Sequence, residues 1–193
     1  MKFNLKLHQC CDKYSIRESM QYIFFDGDQI IATTAHILMV VHIDDLDLTE
    51  DETKAIKKAN GKLIHHRAFM KIWNKEIIFE DNGISCPEEH IFIPYKDQDD
   101  FKYPNWKKVI PKLDKKQKTT SINLNPTFLK TLTDCFPCES NGFSLVHSRE
   151  TEAITVFSIN NLLKSYGIIM PVMKNDDSEV VLNEKTMLFD PVI

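Results

Sequence analysis

The side chains best equipped for chemistry in this 193-residue chain are its thiols: Cys10 and Cys11, close after His8, Cys135 and Cys138 in a CFPC stretch, and Cys86. Two thiol pairs and an imidazole are soft donors of the kind that hold zinc, and two cysteines separated by two residues are the spacing of a redox pair. Neither use fits well. The pairs lack the spacing of a zinc finger, and CFPC falls at the end of a helical pattern, away from the helix start that would activate a thiolate. Five is also an odd number, and a reducing compartment keeps thiols free, so no disulfide is assigned. The reading expects no metal and no cofactor, with a thiol- or zinc-dependent enzyme kept as a third alternative.

Other catalytic constellations are missing from the sequence. It has no Gly-rich phosphate loop, no GxSxG elbow and no HExxH pair, so no catalytic residue is assigned and the chain is expected not to be an enzyme. The acidic clusters at residues 44–51 and 97–100 have the spacing of solvated loops, without the dispersed ligands and Gly-directed turn of a calcium cage. Charged residues make up 27% of the chain, interspersed in sign with a net of -4, which excludes a whole-protein field and leaves nucleic-acid contact to a local patch. The best candidate is Arg67, Lys71 and Lys75, repeating every four residues and so sharing one helical face from which to follow a phosphate backbone. Lys115, Lys116, Lys118 and Lys130 extend it. No run approaches the roughly 20 apolar residues of a membrane span, and the first residues lack a signal-peptide pattern. The expected location is cytoplasmic, with no membrane partner.

These residues have to be positioned by a modest set of elements. Residues 1–7 alternate apolar and polar as a half-buried strand does. Residues 22–43 read as two or three antiparallel strands, with Gly27 supplying the positive φ of a tight turn after Asp26. A helix over 50–59 is announced by the capping-box spacing of Thr49 and Glu52 and closed by Gly61. Leu63 and Ile64 form a short strand feeding a second helix over 65–74, with Ala68, Phe69, Ile72 and Trp73 on its apolar face. Strands follow at 76–80 and 91–95 around an Asp-Asn-Gly turn. A third helix begins near Pro126, and strands at 143–146, 153–157 and 166–172 complete the pattern. The order strand, helix, strands thus occurs twice clearly and once incompletely, which predicts a repeated α+β unit with antiparallel sheets.

Three segments resemble one family, the beta sliding clamp of bacterial DNA polymerase III. Residues 32–38, ATTAHIL, are similar to its Ala-Thr-Asp-Gly-His-Arg-Leu signature. Residues 103–111, YPNWKKVIP, resemble its Phe-Pro-Asp-Tyr-x-x-Val-Ile-Pro linker, and residues 166–173, YGIIMPVM, its terminal Met-Pro-Met-Arg strand. The resemblance implies a DNA-clamp-like α+β fold, with helices on one side of the sheets. Residues 1–111 would be a middle-type clamp domain, 112–120 a basic linker, 121–173 the second half of the last domain and 174–193 a tail. In the family these segments line a pocket for short peptides of polymerases and other partners. The matching positions are Thr33, Thr34, Ala35, His36, Ile37, Leu38, Pro111, Met170, Pro171, Val172 and Met173. Thr34, Ala35 and Ile37 replace the signature's Asp, Gly and Arg, and Val172 and Met173 stand where the family favours Met and Arg, so the expected pocket is altered, more apolar or vestigial. Implied partners are DNA polymerase or repair proteins carrying a short linear motif and, in a homo-oligomer, double-stranded DNA. The alternative is a monomeric clamp-fold interaction protein, a decoy or regulator without DNA. Met187, Leu188 and Phe189 in the tail resemble the Leu-Phe core of clamp-binding peptides.

Overall fold

The computed structural model describes residues 5–98, 102–111, 124–137, 142–147, 153–159 and 163–172. Three consecutive strands, β1 (Tyr22–Asp26), β2 (Gln29–Thr33) and β3 (Ile37–His42), form its centre. Gly27, at φ +63°, occupies the two-residue turn that pairs Asp26 with Gln29, as the sequence predicts. β2 and β3 are buried almost throughout, because their sheet is covered on both faces. Ile30, Ala32, Met39 and Val41 enter one core while Ile31, Leu38 and Val40 enter another. This explains why these strands are apolar runs without alternation.

On one side of these strands β1 pairs with β4 (Leu63–His65), and on the other β3 pairs with β10 (Tyr166–Ile169). With β8 (Phe143–Val146) and β9 (Ile154–Ser158), the order is β4-β1-β2-β3-β10-β9-β8, antiparallel throughout. A second sheet contains β5 (Ile78–Glu80), β6 (Gly83–Cys86) and β7 (Ile91–Pro94). Here apolar residues do alternate, since one face meets solvent: Phe79, Ile84 and Ile93 are buried, while Ile78 and Phe92 are exposed.

Helix α1 (Glu50–Lys58) starts at the predicted capping box: Thr49 N donates to Glu52 Oε2 (2.9 Å) and Glu52 N to Thr49 Oγ1 (3.2 Å). Gly61, at φ +79°, turns the chain back, and its N–H donates to Phe25 O. Helix α2 (His66–Ile72) is shorter than predicted: Trp73 is extended and Asn74 takes φ 62°, which ends the helix before Lys75. In α3 (Pro126–Thr133), Asn125 Oδ1 caps the start by accepting from Thr127 N (2.9 Å). Ile56 of α1, Phe69 and Ile72 of α2 and Leu132 of α3 all enter one core with the inward faces of both sheets, so the helices share one side. That is the α+β architecture the repeats predict.

Two further expectations are corrected. No strand forms over residues 5–7; residues Leu7–Cys10 make a 3-10 helix, and Leu5, Leu7, His8, Cys10 and Cys11 are all buried. The alternation is misleading because this segment plugs the core instead of lining a sheet. The last strand also stops early, at Ile169, where Pro171 has no N–H to continue the ladder.

The opposite face of the large sheet is covered by a strap, residues 102–111. Tyr103 stacks on Phe24 with centroids 4.7 Å apart, and the buried Trp106 donates from Nε1 to Asp26 Oδ2 (3.0 Å). The strap ends in a 3-10 turn, Trp106–Val109, that brings Val109 to the junction of β3 and β10.

Candidate functional site

The turn between β2 and β3 is built by its threonines. Thr34 N donates to Ile37 O (2.9 Å), and Thr34 Oγ1 accepts from the amides of His36 (3.0 Å) and Ile37 (3.1 Å). The hydroxyl thus does what an Asx side chain does in such a turn. Thr33 Oγ1 lies 2.7 Å from Thr34 O and 2.8 Å from Ile37 O, within donating distance of either. Ala35 and His36 are left exposed at the tip.

β10 meets this turn from the far end of the chain. Ile169 pairs with Ile37, and Met170 N donates to His36 O (2.8 Å). The junction is fastened at its other end by Asp45, whose Oδ2 accepts from Lys164 N (2.9 Å), Ser165 N (2.6 Å) and Ser165 Oγ (2.5 Å). Ser165 Oγ in turn accepts from His42 N (2.9 Å). Asp45 therefore holds the two chain segments together, unlike the solvated loop its acidic neighbourhood suggests. Gly167 belongs here because an added Cβ would lie 2.8 Å from Leu132 Cδ1; α3 packs directly on the β10 backbone.

The result is an open cleft of about 50 Å³ lined by Thr33, Thr34, Ala35, His36, Ile37, Leu38, Val109, Ile168 and Met170. Seven of these were expected from the sequence. Val109 and Ile168 were not, although both lie inside segments whose resemblance had been noted. Pro111, Pro171 and Val172 are not among the lining residues, and Met173 lies outside the described residues. A second, wider cleft opens on the other side of the turn tip, lined by Cys11, Asp12, Lys13, Tyr14, Thr34, His36 and Phe128. His36 is shared by both clefts and stacks nearly parallel on Phe128, with centroids 5.3 Å apart. Phe128 is legible in the sequence only as part of an apolar helix face, Cys11 only as a thiol, and residues 12–14 carry no pattern that marks them.

The basic residues are less united than their spacing suggests. Arg67 and Lys71 are exposed on α2. Lys75 lies beyond the helix end and is ion-paired with Glu89, and Lys130 pairs with Asp134 at 3.0 Å. On α1, Lys57 and Lys58 likewise face Asp28 and Asp81. Lys115, Lys116 and Lys118 fall outside the described residues.

Among the described residues, the thiols of Cys10, Cys11, Cys86 and Cys135 are buried. Cys10 Sγ lies 3.4 Å from Cys135 Sγ, and this contact together with burial pushes the Cys10 thiol well up; burial does the same to Cys11. Cys135 thus faces Cys10, and Cys138 lies outside the described residues. Among the described residues no three His, Cys, Asp or Glu side chains are grouped as a metal site would require.

A sheet of repeated units with helices on one side, and a cleft where two such units meet, define a clamp-like fold. No protein-family model matches the chain, and no curated protein does. Solved structures do. The DNA polymerase III beta subunit of Thermotoga maritima matches with a TM-score of 0.58 at 10% identity, over 88% of this chain and 63% of that one. A Helicobacter pylori beta clamp in complex with carprofen gives 0.57 at 11%, over 90% and 66%. A Pseudomonas aeruginosa sliding clamp bound to griselimycin gives 0.54 at 13%, over 88% and 63%. The fold is that of the bacterial sliding clamp, and the chain spans somewhat less than two thirds of the length of these structures. No helix among the described residues is long and apolar enough to cross a membrane.

Proposed function

We propose that this chain is a clamp-fold binding module of DNA replication or repair, not an enzyme, and that the cleft beside His36 receives a short peptide of a partner protein. The observation carrying this reading is the convergence of residues 33–38, Val109, Ile168 and Met170 on one cleft from three distant segments. Ile37 and Leu38 form an apolar floor, the exposed Met170 forms an adaptable wall and the exposed Val109 a stiffer one. Burying one or two apolar peptide side chains there contributes about 1.5 to 3 kcal/mol each, so affinity for a single site is weak. The division into a middle-type domain, residues 1–111, and a half domain, residues 121–173, belongs to the same reading. Met173 stays a candidate contact.

Fluorescence polarisation with a labelled synthetic peptide holding a central Leu-Phe pair tests it. Binding should be saturable and lost in Met170→Lys and Val109→Glu, both changes at exposed positions. Binding that survives both changes would refute the cleft.

The ion pairs on α1, Lys75 and Lys130 favour the second reading, a monomeric interaction protein that binds peptides without DNA. Arg67 and Lys71 would then be a solvated face. Under the first reading they contact DNA in a homo-oligomer. Sedimentation and a salt titration of duplex binding separate the two: a monomer with negligible, salt-independent binding excludes the DNA role.

A further inference from the structure

We propose that Asp26 is the positioning residue that sets Val109 as a wall of the cleft, acting through the Trp106 indole; its effect on peptide affinity rests on the function proposed above. Asp26 is at the end of β1, remote in sequence from the strap and absent from the cleft lining. Its Oδ2 accepts from Trp106 Nε1 at 3.0 Å and lies 2.9 Å from Lys107 Nζ, which also sits 5.2 Å over the Trp106 ring. Trp106 begins the 3-10 turn and Val109 ends it. With three residues per turn, positions three apart fall in line on the same face of such a helix. Anchoring the indole to β1 therefore anchors the short turn that carries Val109 against the sheet. Tyr103 on Phe24 holds the start of the strap.

The hydrogen bond and the ion pair contribute unequally. The Trp106 ring is buried, so its N–H needs an acceptor, and Asp26 supplies it. The Lys107 side chain is 60% exposed, where an ion pair is screened and adds little. An acceptor at position 26 should therefore matter more than a negative charge there.

The experiment measures peptide affinity with the labelled Leu-Phe probe and, without peptide, the methyl NMR resonances of Val109, with those of Ile30 as the core control. Asp26→Ala should shift the Val109 methyls and weaken the probe about tenfold, the worth of one hydrogen bond to a charged acceptor. Trp106→Phe, which keeps a six-membered aromatic ring but deletes the N–H with the rest of the indole, should do the same and carries the test should Asp26→Ala fail to fold. Asp26→Asn, which keeps an acceptor oxygen, and Lys107→Ala should stay near wild type in both readouts. Val109 methyls unmoved in both Asp26→Ala and Trp106→Phe would overturn the proposal, even with a lowered Tm, because Asp26 would then be a stability residue only. If those methyls move while even the wild type fails to bind the probe, the positioning stands and the peptide reading falls.

Discussion

The stretch α2-β5-β6-β7 and the stretch α3-β8-β9-β10 follow one plan, a helix and then three antiparallel strands ending near a proline, yet their last strands meet different surroundings. β10 is paired with β3, and its outward Ile168 is 1% exposed beneath the strap. Among the described residues β7 pairs only with β6, and its outward Phe92 is 47% exposed. The same unit thus contributes to a cleft where a neighbouring strand and a strap meet it, and presents a bare face where they do not. The candidate function belongs to the seam between units more than to the unit.

Four measurements sharpen or break this contrast. The largest expected effect is at Ile168: Ile168→Ala should cost about 3 kcal/mol in urea unfolding, whereas Phe92→Ala should cost under about 1 kcal/mol. Equal costs would show that the seam adds nothing.

Acid should strike the α2 side next. His8 is buried with centroids 6.1 Å from Trp73, and burial, together with Lys13, His66 and Lys6, holds its pKa down to about 4. The unfolded chain takes up this proton near pH 6.5 and the folded chain only near pH 4. Stability is therefore fully present above pH 6.5 and falls between these values, by at most about 3 kcal/mol. Hydrogen exchange at pH 5 should loosen α2 before α3.

The two strand glycines give a smaller, paired effect. A Cβ at Gly83 would lie 2.4 Å from Ile93 O, a backbone atom that yields poorly, while one at Gly167 meets the movable end of Leu132 at 2.8 Å. Gly83→Ala should cost about 2 kcal/mol and Gly167→Ala about 1 kcal/mol, read as shifts in Tm. The smallest is Thr49→Ala, which removes the α1 cap and should cost about 1 kcal/mol in urea unfolding without altering peptide affinity.

Much of this could be read in the sequence where local chemistry dictates local form. Thr49 and Glu52 announced the start of α1, Gly27 the first hairpin, and ATTAHIL with YGIIMP the two strands that meet at the cleft. The failures have a common physical cause. Leu5, Leu7, Cys10 and Cys11 are apolar because they enter a core shared with α2, β2, β3 and α3, and no period in their own sequence encodes that. Lys75 fits the helical spacing but lies past Asn74, whose left-handed conformation is not forced by its residue type. Val109 and Phe128 line their clefts through contacts with remote strands, so their roles appear only once the chain is folded.

The junction fastened by Ser165 and His42 joins residues 123 positions apart, and this has a consequence for how the protein is made. During synthesis the β2–β3 turn emerges early, but its cleft lacks one wall until β10 has left the ribosome. Such distant strand pairings form late, because the loop must close before any contact rewards it. A nascent chain stalled before Tyr166 would therefore hold His36 and Leu38 without Ile168 or Met170. The candidate cleft would be completed as one of the last events of folding.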